Sequence, residues 1–145
     1  MIEVSELVGR ELGPTDWVEI TQERIDAFAS ATDDHQWIHV DPERAAAGPF
    51  GATIAHGYLT LSLLPRFLSG VLEAASSYRL TLNYGLNRVR FPAPVPVGSR
   101  VRARFAVRSV EEVPGGRQLV VEATVEREGG EKPVCVAEVV YRLLD

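Results

Sequence analysis

Beyond Tyr78 the chain alternates apolar and polar residues with a period of two. Val101, Ala103, Phe105 and Val107 fall on one side, Arg100, Arg102, Arg104 and Arg108 on the other. Leu119, Val121, Ala123 and Val125 alternate in the same way with Gln118, Val120, Glu122, Thr124 and Glu126. Cys135, Ala137, Val139, Tyr141 and Leu143 alternate with Val134, Val136, Glu138, Val140 and Arg142. This period marks strands with one buried face. Gly115-Gly116 and Gly129-Gly130 stand where hairpin turns belong, which predicts an antiparallel meander with one apolar face. Tyr84 and Asn87 fall in a loop-like break between strands, and the Pro-rich FPAPVPVG at 91–98 reads as a stiff connector.

The first half carries helical signals. Asp16 to Ile20 reads as a short strand, Thr21 as an N-cap, and Gln22 to about Ala31 as a helix buried through Ile25, Phe28 and Ala29. Asp33 to His39 is too polar and too broken in period to continue that helix. Asp41-Pro42 restarts one, with Asp as N-cap and Pro at the first helical position, ending near Gly48-Pro49. From Ala55 the run HGYLTLSLLPRFLSGVLEA is apolar on nearly every side, so it predicts a long helix enclosed by other structure, bent at Pro65. A sheet with one face to bury and a helix to be enclosed combine most economically as a sheet curled around that helix. The expected class is α+β, a single hot-dog fold over residues 1–145.

Composition narrows the function. At 145 residues and 46% hydrophobic the chain suits one domain with a sizeable core, and a net charge of −5 argues against nucleic acid as a partner. Eleven of the 15 cationic residues follow residue 75, which leaves a local basic surface for a small anion. Cys135 is the single cysteine, so neither a disulfide framework nor a thiolate metal cluster is expected. No signal-peptide pattern opens the sequence, and no apolar run reaches the roughly 20 residues that span a bilayer. A soluble cytoplasmic protein is expected.

The titratable residues crowd into DDHQWIH at 33–39. One reading is a metal site: His35 and His39 are four apart, and Asp33, Asp34 or Asp41 completes a set, but the spacing matches no specific zinc pattern. A second is a polar loop in which Asp33 closes one helix, Asp41 caps the next and His35 faces solvent. A third is a general acid/base pair, Asp34 and His39 aimed by the loop at one water.

The segment Thr32-Asp33-Asp34-His35-Gln36-Trp37-Ile38-His39-Val40-Asp41-Pro42 resembles the signature Ser/Thr-Gly-Asp-x-Asn-Pro-Leu-His-x-Asp-Pro of the MaoC-like (R)-specific enoyl-CoA hydratases. Ala55-His56-Gly57-Tyr58 matches a second family motif, with Ser62 five residues beyond Gly57. The Gln36-Trp37 variant, AAAGPFGATIAHGYLTLSLLP and NYGLNRVRFPAPVPVGSRVRAR are similar to the nodulation protein N-like branch, and the likeness runs from about Asp16 to Tyr141.

The resemblance implies a hydro-lyase of fatty-acid metabolism that adds water to a trans-2-enoyl thioester without metal or other cofactor. It implies Asp34 and His39 as the catalytic pair, the Gly57 N–H as donor to the thioester carbonyl, and Ser62 as an active-site hydroxyl. Asp33 departs from the family Gly, and Gly permits backbone angles that Asp tolerates less well. Alternatives within reach of the same fold are an acyl-CoA thioesterase and a non-catalytic acyl-thioester binding protein. Expected partners are an acyl-CoA or acyl-carrier-protein thioester and a second copy of the chain, as a homodimer or dimer of dimers. Arg88, Arg90, Arg100, Arg102 and Arg104 are available to coenzyme A phosphates; the competing role is a solvated sheet face paired with Glu122, Glu126 and Glu138. Trp37 either walls an acyl tunnel or anchors its loop, and the small residues at 45–48 and 74–77 either make room for a long chain or simply pack.

Overall fold

In chain order, a 3-10 turn (Val4–Leu7) leads to two short strands, β1 (Glu11–Leu12) and β2 (Val18–Glu19). Helices α1 (Gln22–Thr32), α2 (Trp37–Val40), α3 (Pro42–Ala46), α4 (Gly57–Ser62) and α5 (Leu64–Leu72) follow. Four long strands complete the chain: β3 (Leu80–Arg90), β4 (Arg100–Val113), β5 (Gly116–Arg127) and β6 (Cys135–Leu144). The computed structural model describes residues 3–72 and 78–145, so the small-residue stretch at 74–77 and the expected end of the long helix lie outside the described residues.

The strands form one antiparallel sheet in the order β1-β4-β5-β6-β3, with β2 also paired to β4. The inward set read in β4, β5 and β6 is the set found: Val101, Ala103, Phe105, Val107, Leu119, Val121, Ala123, Val125, Cys135, Ala137, Val139, Tyr141 and Leu143 are all buried, although Val134 and Val140, read on the opposite side, are buried as well. Their face closes on Leu59, Leu63, Leu64, Phe67, Leu68 and Leu72 of α4–α5, an α+β hot-dog arrangement. Each such side chain stabilises the fold by about 1.5–3 kcal/mol through removal from water. Gly115 turns the β4–β5 hairpin at φ 81°, and Gly116 is needed for space, since a Cβ there would meet the Leu143 carbonyl oxygen.

The outer face resolves the arginine question for one row. Arg100 pairs with Glu128 at 2.8 Å, Arg102 with Glu126 at 2.5 Å, and Arg104 reaches Glu126 at 3.7 Å. These are cross-strand pairs of a solvated sheet surface.

Four expectations change. The helix from Ala55 is not continuous: it breaks at Leu63, and Pro65 sits in the first turn of α5. Proline has no N–H for the preceding turn and fits where none is required, so the chain restarts the helix there. Nor is the helix enclosed all round, because Tyr58 is 71% exposed and Ser69 and Gly70 face solvent. Tyr84 and Asn87 lie inside β3 rather than in a loop. The β3–β6 register slips between Asn83 and Gly85 and between Leu86 and Arg88, making these two residues the extra members of two bulges. A β-bulge breaks the period of two, and this is why the strand reads as interrupted. Trp37–Val40 forms a helical turn inside the segment expected to be loop.

The connector 91–98 does more than join strands. Ala55 N–H donates to the Val95 carbonyl at 2.8 Å and Val97 N–H to the Thr53 carbonyl at 2.9 Å, which ties residues 53–55 to the rim of the sheet. Thr21 and Asp41 cap α1 and α3 as expected, accepting from the Arg24 and Arg44 N–H groups at 3.1 Å each. Helix α1 ends in Asp33 at φ 59°, ψ 23°, the left-handed region that costs most residues about 1–2 kcal/mol and Asp somewhat less. Asp33→Gly is therefore expected to leave stability unchanged or raise it by up to about 1 kcal/mol, and Asp33→Val to lower it by about 1–2 kcal/mol. Urea unfolding of the two variants checks both signs.

Candidate active site

The site is assembled where α1, α2, the strand-like segment 53–55 and the start of α4 meet. Gln22, the first residue of α1, donates from Nε2 to the His39 carbonyl at 2.8 Å and to Asp26 Oδ1 at 2.9 Å. Its Oε1 accepts from the buried Thr53 hydroxyl at 2.5 Å. Ile54 N–H donates to the Ile38 carbonyl at 3.0 Å, and His39 Nδ1 lies 2.7 Å from the Ile54 carbonyl. A carbonyl oxygen only accepts, so Nδ1 carries the proton and the neutral ring keeps a bare lone pair on Nε2. His39 is buried, and burial pushes its pKa below the ordinary 6.5; the hydrogen bond to Ile54 opposes the shift, and neighbouring His56 adds to it.

Asp34 is reached from the other side. Its side chain is half exposed, and one carboxylate oxygen accepts a long 3.4 Å contact from the Gln36 N–H. The group that meets it is His56, whose Nε2 lies 3.0 Å from the Asp34 carbonyl oxygen and 3.9 Å from Asp34 Oδ2. The His56 and His39 rings stack with centroids 3.8 Å apart and planes 22° from parallel. Asp34, His39 and His56 thus bring one polar atom each within 4.8 Å of one another.

His56 is the functional candidate that the sequence left without a role. Its signal was its place in Ala55-His56-Gly57, but its neighbours are 17 and 22 residues away in sequence and only the fold reveals them. His35, proposed as a metal ligand with His39, is exposed and outside the cluster. The pair that does meet, His39 and His56, is badly disposed for sharing one ion. Imidazole lone pairs lie in the ring plane, and two nearly parallel stacked planes do not converge on a common point.

Gly57 follows His56 directly and opens α4. A Cβ at this position would stand 3.0 Å from the Phe91 ring, so any larger residue needs that ring to give by a few tenths of an ångström. Beside it lies a cleft of about 320 Å³ walled by Phe50, Ile54, Thr60, Phe91 and Val134. Ser62 lies elsewhere: its Oγ donates to the Leu59 carbonyl at 2.8 Å and lines a groove of about 310 Å³ with Leu61, Pro65, Asn83, Leu86 and Tyr141. Trp37 is an anchor, with the Arg44 guanidinium stacked 4.4 Å above its ring and Gly48 against its edge. Asp33 and Asp41 close and cap helices, as read from the sequence.

The chain matches the MaoC like domain over residues 3–130 and belongs to that family. It is an enzyme of the hydratase/dehydratase class. Over 135 residues, 92% of this chain and 89% of the other, it is 60% identical to 3-hydroxyacyl-thioester dehydratase Z of Mycobacterium tuberculosis. It is 49% identical to nodulation protein N of Rhizobium leguminosarum over 94% of this chain and 86% of that one. Among solved structures, the (R)-hydratase from A. caviae involved in PHA biosynthesis superposes with a TM-score of 0.77 at 26% identity, covering 94% of this chain and 96% of that one.

Because the folded value of His39 lies below 6.5, the unfolded chain binds the proton first as pH falls. Stability therefore declines as the pH drops through 6.5 toward the folded value, and the loss is complete below it. An NMR titration of the His39 ring is expected to give a midpoint under 6.5, and His39→Gln to flatten that part of the stability profile. A midpoint above 6.5 would show the Ile54 hydrogen bond outweighing burial.

Proposed function

We propose that this protein catalyses the reversible addition of water to trans-2-enoyl thioesters, giving (R)-3-hydroxyacyl thioesters carried on coenzyme A or an acyl-carrier protein. The observation that supports it most is the meeting of an accessible Asp34 carboxylate with a buried His39 whose tautomer leaves Nε2 unprotonated. The 60% identity to a 3-hydroxyacyl-thioester dehydratase supports the same reading over a thioesterase or a binding protein without chemistry.

In this mechanism a water molecule is held between Asp34 and His39 Nε2. His39 removes one proton as the water oxygen bonds to the β-carbon, and the π electrons move through the α-carbon onto the thioester oxygen. The imidazolium so formed is balanced by the Asp34 carboxylate and returns the proton to the α-carbon on the same face. Gly57 N–H is the donor to the developing oxyanion, a contribution of ~3 kcal/mol when such a donor is preorganised away from water. Ser62 lines the neighbouring groove, which suits a role in seating the acyl chain. Arg88 and Arg90 have no carboxylate partner among the described residues and flank a cleft with Pro92 and Glu138, so they are the arginines left for the carrier's phosphates. None of these steps calls for a cofactor.

The assembly expected is a homodimer. Strand β3 is the edge of the sheet and leaves Leu80, Leu82, Tyr84 and Leu86 at 40–57% exposure, an apolar edge that water disfavours and a second copy would cover. No helix among the described residues is long and apolar enough to cross a membrane.

Loss of enoyl absorbance on adding crotonyl-CoA, with chiral analysis of the product, tests the reaction. Asp34→Asn and His39→Ala are each expected to lower kcat by at least about 100-fold with the fold intact. A stable Asp34→Asn enzyme with full turnover would remove the acid/base assignment. In light scattering, Leu82→Glu is expected to shift the protein toward monomer; an unchanged mass would place the subunit contact elsewhere.

A further inference from the structure

We infer that His56 is a positioning residue for this reaction, holding the Asp34 main chain through its Nε2–H and backing the His39 ring by stacking. The inference rests on the hydratase reading for its kinetic consequences and on the geometry alone for its tautomer.

The tautomer follows from the partner. The Asp34 carbonyl oxygen 3.0 Å from His56 Nε2 can only accept, so that nitrogen bears the proton. His56 is 3% exposed, and its Nδ1 is buried with no hydrogen-bond partner among the described residues. The imidazole edge facing Asp34 is therefore the donor edge, and Nδ1 is the nitrogen left without a partner.

That unpaired nitrogen makes histidine an uneconomical residue for mere space-filling. The ring lies between Phe28, tilted at 4.9 Å, and His39, stacked at 3.8 Å, and an apolar ring would fill the same gap without stranding a polar atom. Buried polar atoms without partners call for a reason beyond packing, and here the reason lies at the opposite edge of the ring. The Asp34 loop has little of its own to hold it. It follows a left-handed Asp33, its carboxylate is 51% exposed, and its internal bond from Gln36 N–H is a long 3.4 Å. The His56 bond to the Asp34 carbonyl ties that loop to the fold from the α4 side. The same residue contacts the His39 ring and leads by one peptide bond into Gly57. The carboxylate, the imidazole and the proposed oxyanion donor thus take their mutual positions from His56.

Two substitutions separate the contributions. His56→Gln retains an N–H able to reach the Asp34 carbonyl but loses the ring; His56→Phe retains the stack but loses the donor. With Tm and circular dichroism confirming the fold, His56→Phe is expected to lose about 100-fold in kcat with KM within about twofold of wild type, because small misplacement of reacting groups costs on that order. His56→Gln is expected to recover most of that loss. A folded His56→Phe enzyme within about twofold of wild-type kcat would overturn the inference.

Should His56→Phe not fold, His56→Gln still decides, since a loss of kcat equal to that of His56→Ala would deny the N–H its role. Independently of turnover, the imidazole ¹⁵N spectrum of the wild-type protein is expected to show His56 protonated on Nε2. A bare Nε2 would overturn the inference even if no enoyl thioester were hydrated. Absence of hydration by wild type with a correct His56 tautomer would instead count against the hydratase reading alone.

Discussion

The hydrogen bond from His39 Nδ1 to the Ile54 carbonyl, 2.7 Å long, sets the chemistry of the site and also depends on most of the fold. It fixes which nitrogen carries the proton, leaves Nε2 bare, and holds a ring whose burial lowers its pKa. The carbonyl it uses must itself be immobile. Ile54 is held by its own N–H to Ile38, by pairing with Pro96, and by the Val95 and Thr53 bonds on either side. The 91–98 connector that supplies those bonds joins β3 and β4, which the sheet order separates by β6 and β5. A crossover imposed by strand order therefore also braces the carbonyl that orients His39.

Rigidity is concentrated on the His39 side and withheld from the Asp34 side. His39 has Gln22 on its carbonyl, Ile54 on its ring and His56 on its face, while Asp34 projects toward solvent from a loop with few internal bonds. The division suits two different tasks. In the proposed mechanism the base must keep one tautomer and one depth, whereas the group that admits water and substrate has to remain accessible. Asp33 belongs to the same economy: its left-handed backbone turns the chain out of α1 toward the site, and the family glycine makes that turn with less steric cost.

Much of this was legible in the sequence, for reasons local to it. Alternation in β4, β5 and β6 reports burial on one sheet face directly, because consecutive side chains must point to opposite sides. Thr21, Asp41 and Pro42 announce helix starts because their chemistry serves backbone groups two or three residues away. The Asp34–His39 spacing survives as a motif because five residues of chain suffice to bring them together. Where the reading went astray, local pattern was overridden. Two bulges in β3 broke the period of a real strand, and Pro65 divided one apolar run into two helices.

By itself, then, the sequence determined the α+β class, the inward face of the sheet, the caps and the paired Asp34 and His39. Tertiary structure alone decided the rest: the tautomer of His39, the arrival of His56 between the two catalytic candidates, and the separation of Ser62 into a neighbouring groove. It also decided which arginines are neutralised across strands and which lack a carboxylate partner among the described residues. The physical reason is one of range. Side-chain alternation and capping are fixed by neighbours along the chain, whereas a proton's position and a ring's partners depend on atoms that only packing brings within a few ångströms.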